Sequence, residues 1–378
     1  MSKRIGILTG GGDVPGLNSV IKTVVYRSVE CGWNVTGLRR GWESLTNLDC
    51  SDPASLQRYV VPLNKENTAA IDRTGGTWLH TTRTNPRKMK QLSADGTVST
   101  VDVTPRVLEN VAKLELDYLI AIGGDDTLSY AAHLDRMGVK VVAVPKTMDN
   151  DVRNTEYCIG FSTAITRAMD AIERQRTTIA SHERTGVFRI FGRDAGFSAL
   201  YTAYVTSLRC CIPEYKVSLE KLLAVLAQEK RDNPGNYAMV ILSEGAKWEG
   251  YKVQEYGEPD AYGHRKKMSV AEALSEEIRS SGGGETIASD LTYDLRGGTP
   301  DSLDRMVAST FAGMAIDLLA DGRHGVMTAI QQGCYTAAEI PAPELGPRQV
   351  DVDTMYNKNR FRPLYTGKLG VPVFLTHL

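Results

Sequence analysis

Residues 139–151, VKVVAVPKTMDND, place a short β-branched run directly before a turn that holds one lysine and two aspartates. The run at 139–144 is typical of a buried strand, and it predicts a sheet whose carboxyl edge carries the turn. Open α/β sheets bind their ligands at that edge. One aspartate there can take a proton from a substrate hydroxyl, and the lysine can hold phosphate. The turn therefore predicts a phosphoryl-transfer site; the alternative is an ordinary polar loop with an aspartate capping a helix.

The composition of the 378-residue chain is that of a globular protein, with 42% apolar and 24% charged residues. Because this length exceeds one typical core, we expect two α/β domains. The formal net charge of -1 gives no basic field, so nucleic acid is not an expected partner. No apolar run reaches the roughly 18 residues of a membrane span, and we expect a cytoplasmic protein that contacts no membrane. The six cysteines lack CxxC spacing and are expected to be reduced.

Two further strand patterns end in glycine-rich turns before helical patterns. Residues 4–8 lead into TGGGD at 9–13 and a helix predicted over 15–30, capped at Asp13 or Val14. Residues 118–122 lead into GGDDT at 123–127 and a helix to about residue 137. The backbone of the first turn can hold phosphate, and the adjacent acids of the second can hold Mg²⁺ through water. Each turn also has a plain alternative, a tight glycine turn or an acidic helix N-terminus. Three turns at one sheet edge favour a shared site.

The second half of the chain repeats the alternation of strand and helix. The patterns predict a helix ending near residue 179, strands at 186–190 and 237–242, and helices at 219–229, 270–279 and 304–319. The glycine run at 282–284 predicts a loop or hinge, and residues from 341 onward show no assignable pattern. Arg83, Arg184 and Arg193 can contact anions and Glu244 can bind sugar hydroxyls, although single charged residues in loops usually only face solvent.

Taken together and in this order, these segments resemble the bacterial-type phosphofructokinase superfamily over residues 4–335. The matching segments are GILTGGGDVPGLN at 6–18, GGT at 75–77, GGDDT at 123–127, PKTMDND at 145–151, SHER at 181–184, FGR at 191–193 and RGGTP at 296–300. The resemblance implies two Rossmann-like three-layer α/β/α domains with mostly parallel sheets and an active site in the cleft between them. It implies a phosphoryl-donor domain at 1–157 and about 290–340, a sugar-phosphate domain at 158–289, and an extension of unknown role at 341–378.

The resemblance also implies a role for each matching side chain. Asp149 would deprotonate the sugar 1-hydroxyl, and Asp125 would hold Mg²⁺. The other residues expected at the reacting groups are Thr147, Asp151, Arg193 and Lys146. The phosphoryl donor would contact Gly11, Arg83, Asp126 and Lys146. The sugar phosphate would contact Thr147, Asp149, Arg184, Phe191, Gly192, Arg193, Glu244, Tyr293 and Arg296. Arg184 would reach in from a neighbouring subunit, which implies a homodimer or homotetramer.

Donor choice depends on Asp126 and Lys146. The simplest ATP-using relatives have glycine at both positions, and pyrophosphate-using relatives have aspartate and lysine. A carboxylate at 126 would intrude on the space of an α-phosphate, and an ammonium at 146 would replace part of the nucleotide's binding. We therefore expect Mg²⁺-dependent transfer from pyrophosphate as co-substrate, with ATP as the alternative donor.

The acceptor side departs from the family pattern at two positions. Ile287 stands where the family usually has a phosphate-binding arginine, and Tyr293 stands near the end of a stretch that usually ends in histidine. We expect reversible phosphorylation of fructose 6-phosphate to fructose 1,6-bisphosphate, with sedoheptulose 7-phosphate or another sugar phosphate as the alternative. A silent regulatory subunit would have lost Asp125, Asp149 or Asp151, and a fold like that of NAD kinase would not explain residues 145–151.

Overall fold

The structure is a computed structural model that describes residues 2–92, 98–251, 255–256 and 266–364. Its strands are β1 (Arg4–Thr9), β2 (Asn34–Leu38), β3 (Val60–Leu63), β4 (Met89–Leu92), β5 (Val98–Val101), β6 (Tyr118–Gly123), β7 (Val141–Pro145), β8 (Thr185–Ile190), β9 (Arg209–Cys211), β10 (Ala238–Ser243), β11 (Glu255–Tyr256), β12 (Lys266–Lys267), β13 (Thr286–Asp290), β14 (Val326–Gln331), β15 (Cys334–Glu339), β16 (Tyr356–Asn357) and β17 (Arg362–Pro363).

The helices lie between these strands for most of the chain. They are α1 (Leu17–Glu30), α2 (Trp42–Asn47), α3 (Pro53–Tyr59), α4 (Thr104–Lys113), α5 (Asp125–Arg136), α6 (Phe161–Ser181), α7 (Phe197–Thr206), α8 (Leu219–Asp232), α9 (Val270–Ser280), α10 (Tyr293–Arg296), α11 (Ser302–Ala320) and α12 (Val352–Met355), with short 3₁₀ turns at Ile71–Arg73, Pro86–Lys88 and Pro343–Leu345.

The larger sheet has the strand order β15-β14-β7-β6-β1-β2-β3. Its inner strands are parallel, and the two edge strands β3 and β15 are antiparallel to their neighbours. The register pairs Thr9 with Ile122 and Gly123 with Pro145, so β1, β6 and β7 end at one level. The three turns predicted to share an edge therefore do so, at the carboxyl edge where α/β enzymes bind ligands.

Helices cover both faces of this sheet. On one face Ile7 and Ile120 pack in a core with α1 and α11 residues such as Phe311. On the other face Leu119 packs with Trp42 of α2 and with residues of α4 and α5. Burial on both faces explains why the central strands are continuous apolar runs without alternation. The result is the expected three-layer α/β/α arrangement.

The smaller sheet has the order β13-β8-β10-β9, and all of its pairings are parallel. Helix α9 packs against β13 and β8, and α7 and α8 pack against β10. The α/β class with mostly parallel sheets is confirmed. The strands of the larger sheet fall within residues 4–145 and 326–339, and those of the smaller sheet fall within 185–290. The exact domain limits, 1–157 with about 290–340 and 158–289, stay a prediction.

One predicted helix start is wrong. Helix α1 begins at Leu17 and its cap is Gly16, not Asp13 or Val14. Gly16 is left-handed with φ 108, and a Cβ there would lie 2.5 Å from Ile159 Cγ2. The chain therefore needs a glycine after Pro15 to turn into the helix, and residues before it stay in the turn.

The turns predicted after α1 and α9 are confirmed. Gly32, with φ 69, follows α1 as its stop, and residues 282–284 form a loop with positive φ at Gly282 and Gly284. Residues 341–364 contain a 3₁₀ turn, the short α12 and the β16–β17 pair, and residues 365–378 of the predicted extension lie outside the described residues. The cysteines are free thiols. In the described part of the chain, no helix is both long and apolar enough to cross a membrane.

Candidate active site

The turn after β7 is held rigidly by its own backbone and by Asn150. The N–H of Lys146 donates to the Gly123 carbonyl at 3.0 Å, which ties this turn to the one after β6. Asn150 is left-handed with φ 53. Its Nδ2 donates to the Glu156 carbonyl at 2.9 Å, and its Oδ1 accepts from the Cys158 N–H at 2.8 Å. Asparagine tolerates this conformation, so it can fix the flanking aspartates. We refer to residues 146–151 as the catalytic turn.

Asp149 carries a half-buried carboxylate with an unused acceptor. Its Oδ1 is buried and has no hydrogen-bond partner among the described residues. Burial, and secondarily the charge of Asp151, raises the pKa of Asp149 to about 7. A carboxylate with a free oxygen and a near-neutral pKa is suited to accept a proton from a hydroxyl group.

Asp125 lies in the first turn of α5, directly after the Gly124 cap. Burial, followed by the nearby charges of Asp151 and Asp126, raises its pKa to about 7. Burial likewise raises the pKa of Asp151. Two crowded carboxylates of this kind fit a divalent cation, which would favour their ionised forms. The described residues contain no cluster of three or more His, Cys, Asp or Glu placed to hold a metal. A Mg²⁺ ion held by the carboxylates of Asp125 and Asp151 would take water and phosphate oxygens at its other positions, as Mg²⁺ usually does.

Lys146 lies beneath the glycine turn after β1. Its side chain is buried at 4% exposure, and burial, followed by the charge of Arg296, lowers its pKa to about 8. A Cβ on Gly11 would lie 3.2 Å from Lys146 Nζ, so glycine leaves this approach open. Arg83 is exposed next to Thr82, whose carbonyl accepts from the Gly11 N–H at 2.9 Å. The structure thus brings Lys146, Gly11 and Arg83 together, with Asp126 exposed on α5.

The turn after β8 faces the catalytic turn from the smaller sheet. Gly192 is left-handed with φ 119, and its carbonyl accepts from the Gly245 N–H at 3.0 Å, which joins the ends of β8 and β10. Arg193 is 80% exposed and its Nε donates to Asp194 at 2.8 Å. Glu244 pairs with Arg189 at 3.0 Å. The charges of Glu244 and Arg193 both act on the pKa of Asp149, so these side chains lie in one neighbourhood.

Arg296 connects the two sides of the site. Its guanidinium lies 4.7 Å from the centre of the Phe191 ring, a cation–π distance. Its Nη1 donates to the Asp13 carbonyl at 3.4 Å, and a Cβ on Gly12 would lie only 2.0 Å from Nη1. Tyr293, one turn earlier in α10, is 81% exposed and its side chain is open to solvent.

The structure does not bring Arg184 to these residues. It precedes β8, whereas Phe191 follows β8, and six extended residues span about 20 Å. There Arg184 pairs with Glu285, which precedes β13. Ile287 pairs with Gly186 at the same amino end. Arg184 therefore cannot serve the site of its own chain, and the sequence expectation that it serves a neighbour stays a prediction.

Sequence reasoning missed two residues that contact the catalytic turn. Ser198 Oγ donates to the Met148 carbonyl at 2.7 Å. The buried Arg348 donates from Nη2 to the Asn150 carbonyl at 2.6 Å, across 198 residues of chain. No local pattern around residue 348 signals this contact, because residues from 341 onward have no periodicity.

Comparison with known proteins agrees with this geometry. The Phosphofructokinase family profile matches residues 4–319. The pyrophosphate–fructose 6-phosphate 1-phosphotransferase of Dictyoglomus thermophilum is 37% identical over 368 residues, covering 95% of this chain and 100% of that protein. An ATP-dependent 6-phosphofructokinase 3 of Streptomyces coelicolor is 35% identical over 331 residues, covering 87% of this chain and 91% of that protein. A pyrophosphate-dependent phosphofructokinase from Nitrosospira multiformis has the same fold, with a TM-score of 0.75 at 18% identity over 97% of this chain and 90% of that one. The chain belongs to the phosphofructokinase family.

Proposed function

We propose that the chain transfers a phosphoryl group reversibly from pyrophosphate to the 1-hydroxyl of fructose 6-phosphate, giving fructose 1,6-bisphosphate and orthophosphate. One observation carries the proposal: the catalytic turn presents a carboxylate oxygen without a partner, on Asp149, three residues from the buried ammonium of Lys146. The first can take the hydroxyl proton and the second can hold donor phosphate. The names of several relatives support the same reaction.

The roles follow from position. Asp149 Oδ1 would accept the proton of the sugar 1-hydroxyl. At the same time the hydroxyl oxygen would bond to the donor phosphorus, and the bridging P–O bond of pyrophosphate would break. Thr147 would position Asp149, because its Oγ1 accepts from the Asp149 N–H at 3.1 Å. Arg193 would move from Asp194 onto the transferring group, which carries more negative charge than one carboxylate. Asp125, with Asp151 beside it, would hold Mg²⁺, and the ion would neutralise phosphate charge.

Donor selection would rest on Asp126 and Lys146. The carboxylate of Asp126 follows Asp125 at the start of α5 and would repel the α-phosphate of a nucleotide. Lys146 Nζ lies below Gly11, where the positive charge can hold the second phosphate of pyrophosphate. Gly11 and Arg83 would supply the remaining donor contacts.

The acceptor would lie against Phe191, Gly192, Glu244, Tyr293 and Arg296. Ile287 is half-buried against the core and offers no charge to a distal phosphate, so Arg296 and a neighbour's Arg184 would hold it. Such sharing requires a homodimer or homotetramer, with each cleft closed by two copies of the chain. A longer sugar phosphate such as sedoheptulose 7-phosphate is the second candidate, because Ile287 lies at the same amino end as Arg184 and, entering a neighbour's site with it, would leave space where an arginine would stand. We expect the protein to act on these substrates in the cytoplasm.

A matrix of donors against acceptors tests the proposal. Purified protein with Mg²⁺ would be given pyrophosphate, ATP or ADP, each with fructose 6-phosphate or sedoheptulose 7-phosphate, and product sugar bisphosphate would be measured. We expect the highest kcat/KM for pyrophosphate with fructose 6-phosphate, and formation of pyrophosphate from fructose 1,6-bisphosphate and orthophosphate. A higher kcat/KM with sedoheptulose 7-phosphate would make that sugar phosphate the acceptor, and pyrophosphate would remain the assigned donor.

A further inference from the structure

Arg348 lies between the catalytic turn and helix α7. Its side chain is 6% exposed, its Nη2 donates to the Asn150 carbonyl at 2.6 Å, and its backbone N–H donates to the Asp151 carbonyl at 2.6 Å. The guanidinium lies 4.4 Å from the centre of the Phe197 ring. Arginine alone combines a planar fork of donors with a face that stacks on an aromatic ring. Arg348 thus holds two consecutive peptide groups of the turn that carries Asp149.

The two residues after Arg348 contact the other side of the cleft. Gln349 Nε2 donates to the Asp194 carbonyl at 3.2 Å, directly after Arg193. The N–H of Val350 donates to Glu214 Oε1 at 2.9 Å, and the same oxygen accepts from the Gly196 N–H at 2.8 Å. Residues 348–350, which we refer to as the strap, therefore join the turn after β7 of the larger sheet to the turn after β8 of the smaller sheet.

The chain beyond the strap is anchored to the smaller sheet. Tyr356 Oη donates to the Cys210 carbonyl at 2.6 Å, and the Cys210 N–H donates to the Phe361 carbonyl at 2.8 Å. Arg362 pairs with Glu229 of α8 at 3.1 Å. Because this part of the chain is fixed along β9, the strap reaches the catalytic turn from the smaller sheet. A shift of the smaller sheet would therefore move the catalytic turn of the larger sheet.

We infer that Arg348 is a positioning residue for phosphoryl transfer: through the strap it sets the distance between the catalytic turn and the Arg193 turn. The catalytic part of this inference rests on the proposed function. Asp149 and Arg193 are on different sheets, and the reacting oxygen and phosphorus must be aligned between them. A misplacement of about 1 Å can slow such a reaction by roughly 10²-fold. Without Arg348, the Asn150 carbonyl would lose its partner and the turn would be free to shift.

The test compares Arg348→Met with the matched variant Arg360→Met. Both remove a guanidinium from the same C-terminal segment, but the Arg360 side chain is exposed, away from the cleft. Hydrogen exchange would be measured on peptides that cover residues 146–151 and 192–196. We expect about 10-fold faster exchange at both turns in Arg348→Met and no change there in Arg360→Met.

Steady-state kinetics on the same variants test the catalytic consequence. We expect kcat in Arg348→Met to fall by about 10-fold or more, while KM for each substrate stays within about threefold, because the variant misplaces the reacting groups and keeps their binding residues. Arg360→Met should keep the kcat of the unaltered protein. If Arg348→Met does not fold, Arg348→Lys serves in its place, since lysine keeps the charge but cannot both stack on Phe197 and reach the Asn150 carbonyl.

The outcomes separate the inference from the proposed function. Unchanged exchange at both turns in a folded Arg348 variant would overturn the inference, and so would unchanged kcat. Faster exchange at both turns in a protein that lacks turnover with pyrophosphate would support the strap and overturn the proposed reaction instead.

Discussion

Lys146 and Asp149 are ionisable side chains on one turn whose burial moves their pKa values toward each other. Burial disfavours the charged form of each group, so the pKa of Lys146 falls to about 8 and that of Asp149 rises to about 7. At a pH between these two values, a large share of the molecules has an ionised Asp149 and a positively charged Lys146. That combination, a proton acceptor beside a phosphate-binding cation, is what the proposed transfer needs near neutral pH.

Replacing Asp149 by asparagine should abolish the proton acceptor while keeping the size of the side chain. We expect Asp149→Asn to lower kcat by about 10² or more with little change in KM for the sugar phosphate. Steady-state assays in the pyrophosphate direction measure both constants. The matched variant Asp353→Asn, at an exposed position beyond the cleft, should keep the original kcat. Near-normal kcat in Asp149→Asn would exclude Asp149 as the base.

The lowered pKa of Lys146 predicts a pH-dependent affinity for the donor. As pH rises through about 8, Lys146 loses its proton and its positive charge, so KM for pyrophosphate should rise. Lys146→Met should have a high KM already at pH 7 and no further rise from this cause. KM for pyrophosphate measured from pH 6.5 to 9.5 in both proteins checks the prediction. Parallel profiles in the two proteins would assign the rise to another group.

Helix α11 is fixed to the start of α6 by one buried carboxylate. Asp304 accepts hydrogen bonds from Tyr157 Oη at 2.7 Å and from the N–H groups of Gly160 and Thr163, each at 2.8 Å. The Thr163 hydroxyl donates to the same side chain. The side chain is fully buried, and Gly160 caps α6 in a left-handed conformation with φ 100. Asp304 thereby joins the helix that returns to the larger sheet to the helix that leads to the smaller one.

Removing this carboxylate should destabilise the fold. We expect Asp304→Ala to lower the free energy of unfolding by about 3 kcal/mol, because several buried donors lose their acceptor. Asp317→Ala is the control on the same helix, where an exposed carboxylate pairs with Arg27 and its loss should change the free energy by less than about 1 kcal/mol. Denaturant unfolding measures both values. Equal effects in the two variants would mean that Asp304 does not hold these helices together.

The predictable elements are those with strong local patterns. The apolar runs of β1, β6 and β7 and the helical patterns of α1 and α5 predicted the sheet edge and its turns. The edge strand β15 (CYTAAE) carries no such run, and the apolar run of β3 (VVPL) is short and contains a proline, which is typical of an edge strand. The cap of α1 was misplaced since the left-handed turn at Gly16 is set by the approach of Ile159, which lies far along the chain.

Strand β8 separates two arginines that the proposed reaction requires. Arg193 follows the strand and Arg184 precedes it, so they lie at opposite edges of the smaller sheet. A site that uses both needs a second copy of the chain. The resemblance implied a role for each arginine and the sharing of Arg184, and the structure adds a physical reason, because the length of β8 lies between them. The strap was not predictable at all, because Arg348 and Asn150 meet only through the fold.

Mixing two inactive variants tests the shared site. Arg184→Ala lacks the arginine that a neighbour would receive, and Asp149→Asn lacks the base. In mixed dimers the Asp149→Asn subunit would supply Arg184 to the intact Asp149 of its partner. Random pairing of equal amounts should restore about a quarter of the full activity, since half of the dimers are mixed and each has one complete site. Activity is measured after co-expression at low fructose 6-phosphate. No recovery above the sum of the separate variants would exclude sharing of Arg184.

Asp126 and Lys146 together are expected to make pyrophosphate the phosphoryl donor. The most direct test measures kcat/KM for pyrophosphate and for ATP, with fructose 6-phosphate and Mg²⁺, in the original protein and in the double variant Asp126→Gly/Lys146→Gly. We predict a preference for pyrophosphate of about 10² or more in the original protein and a shift of that ratio toward ATP in the double variant. Equal or better turnover with ATP in the original protein would show that Asp126 and Lys146 do not select pyrophosphate.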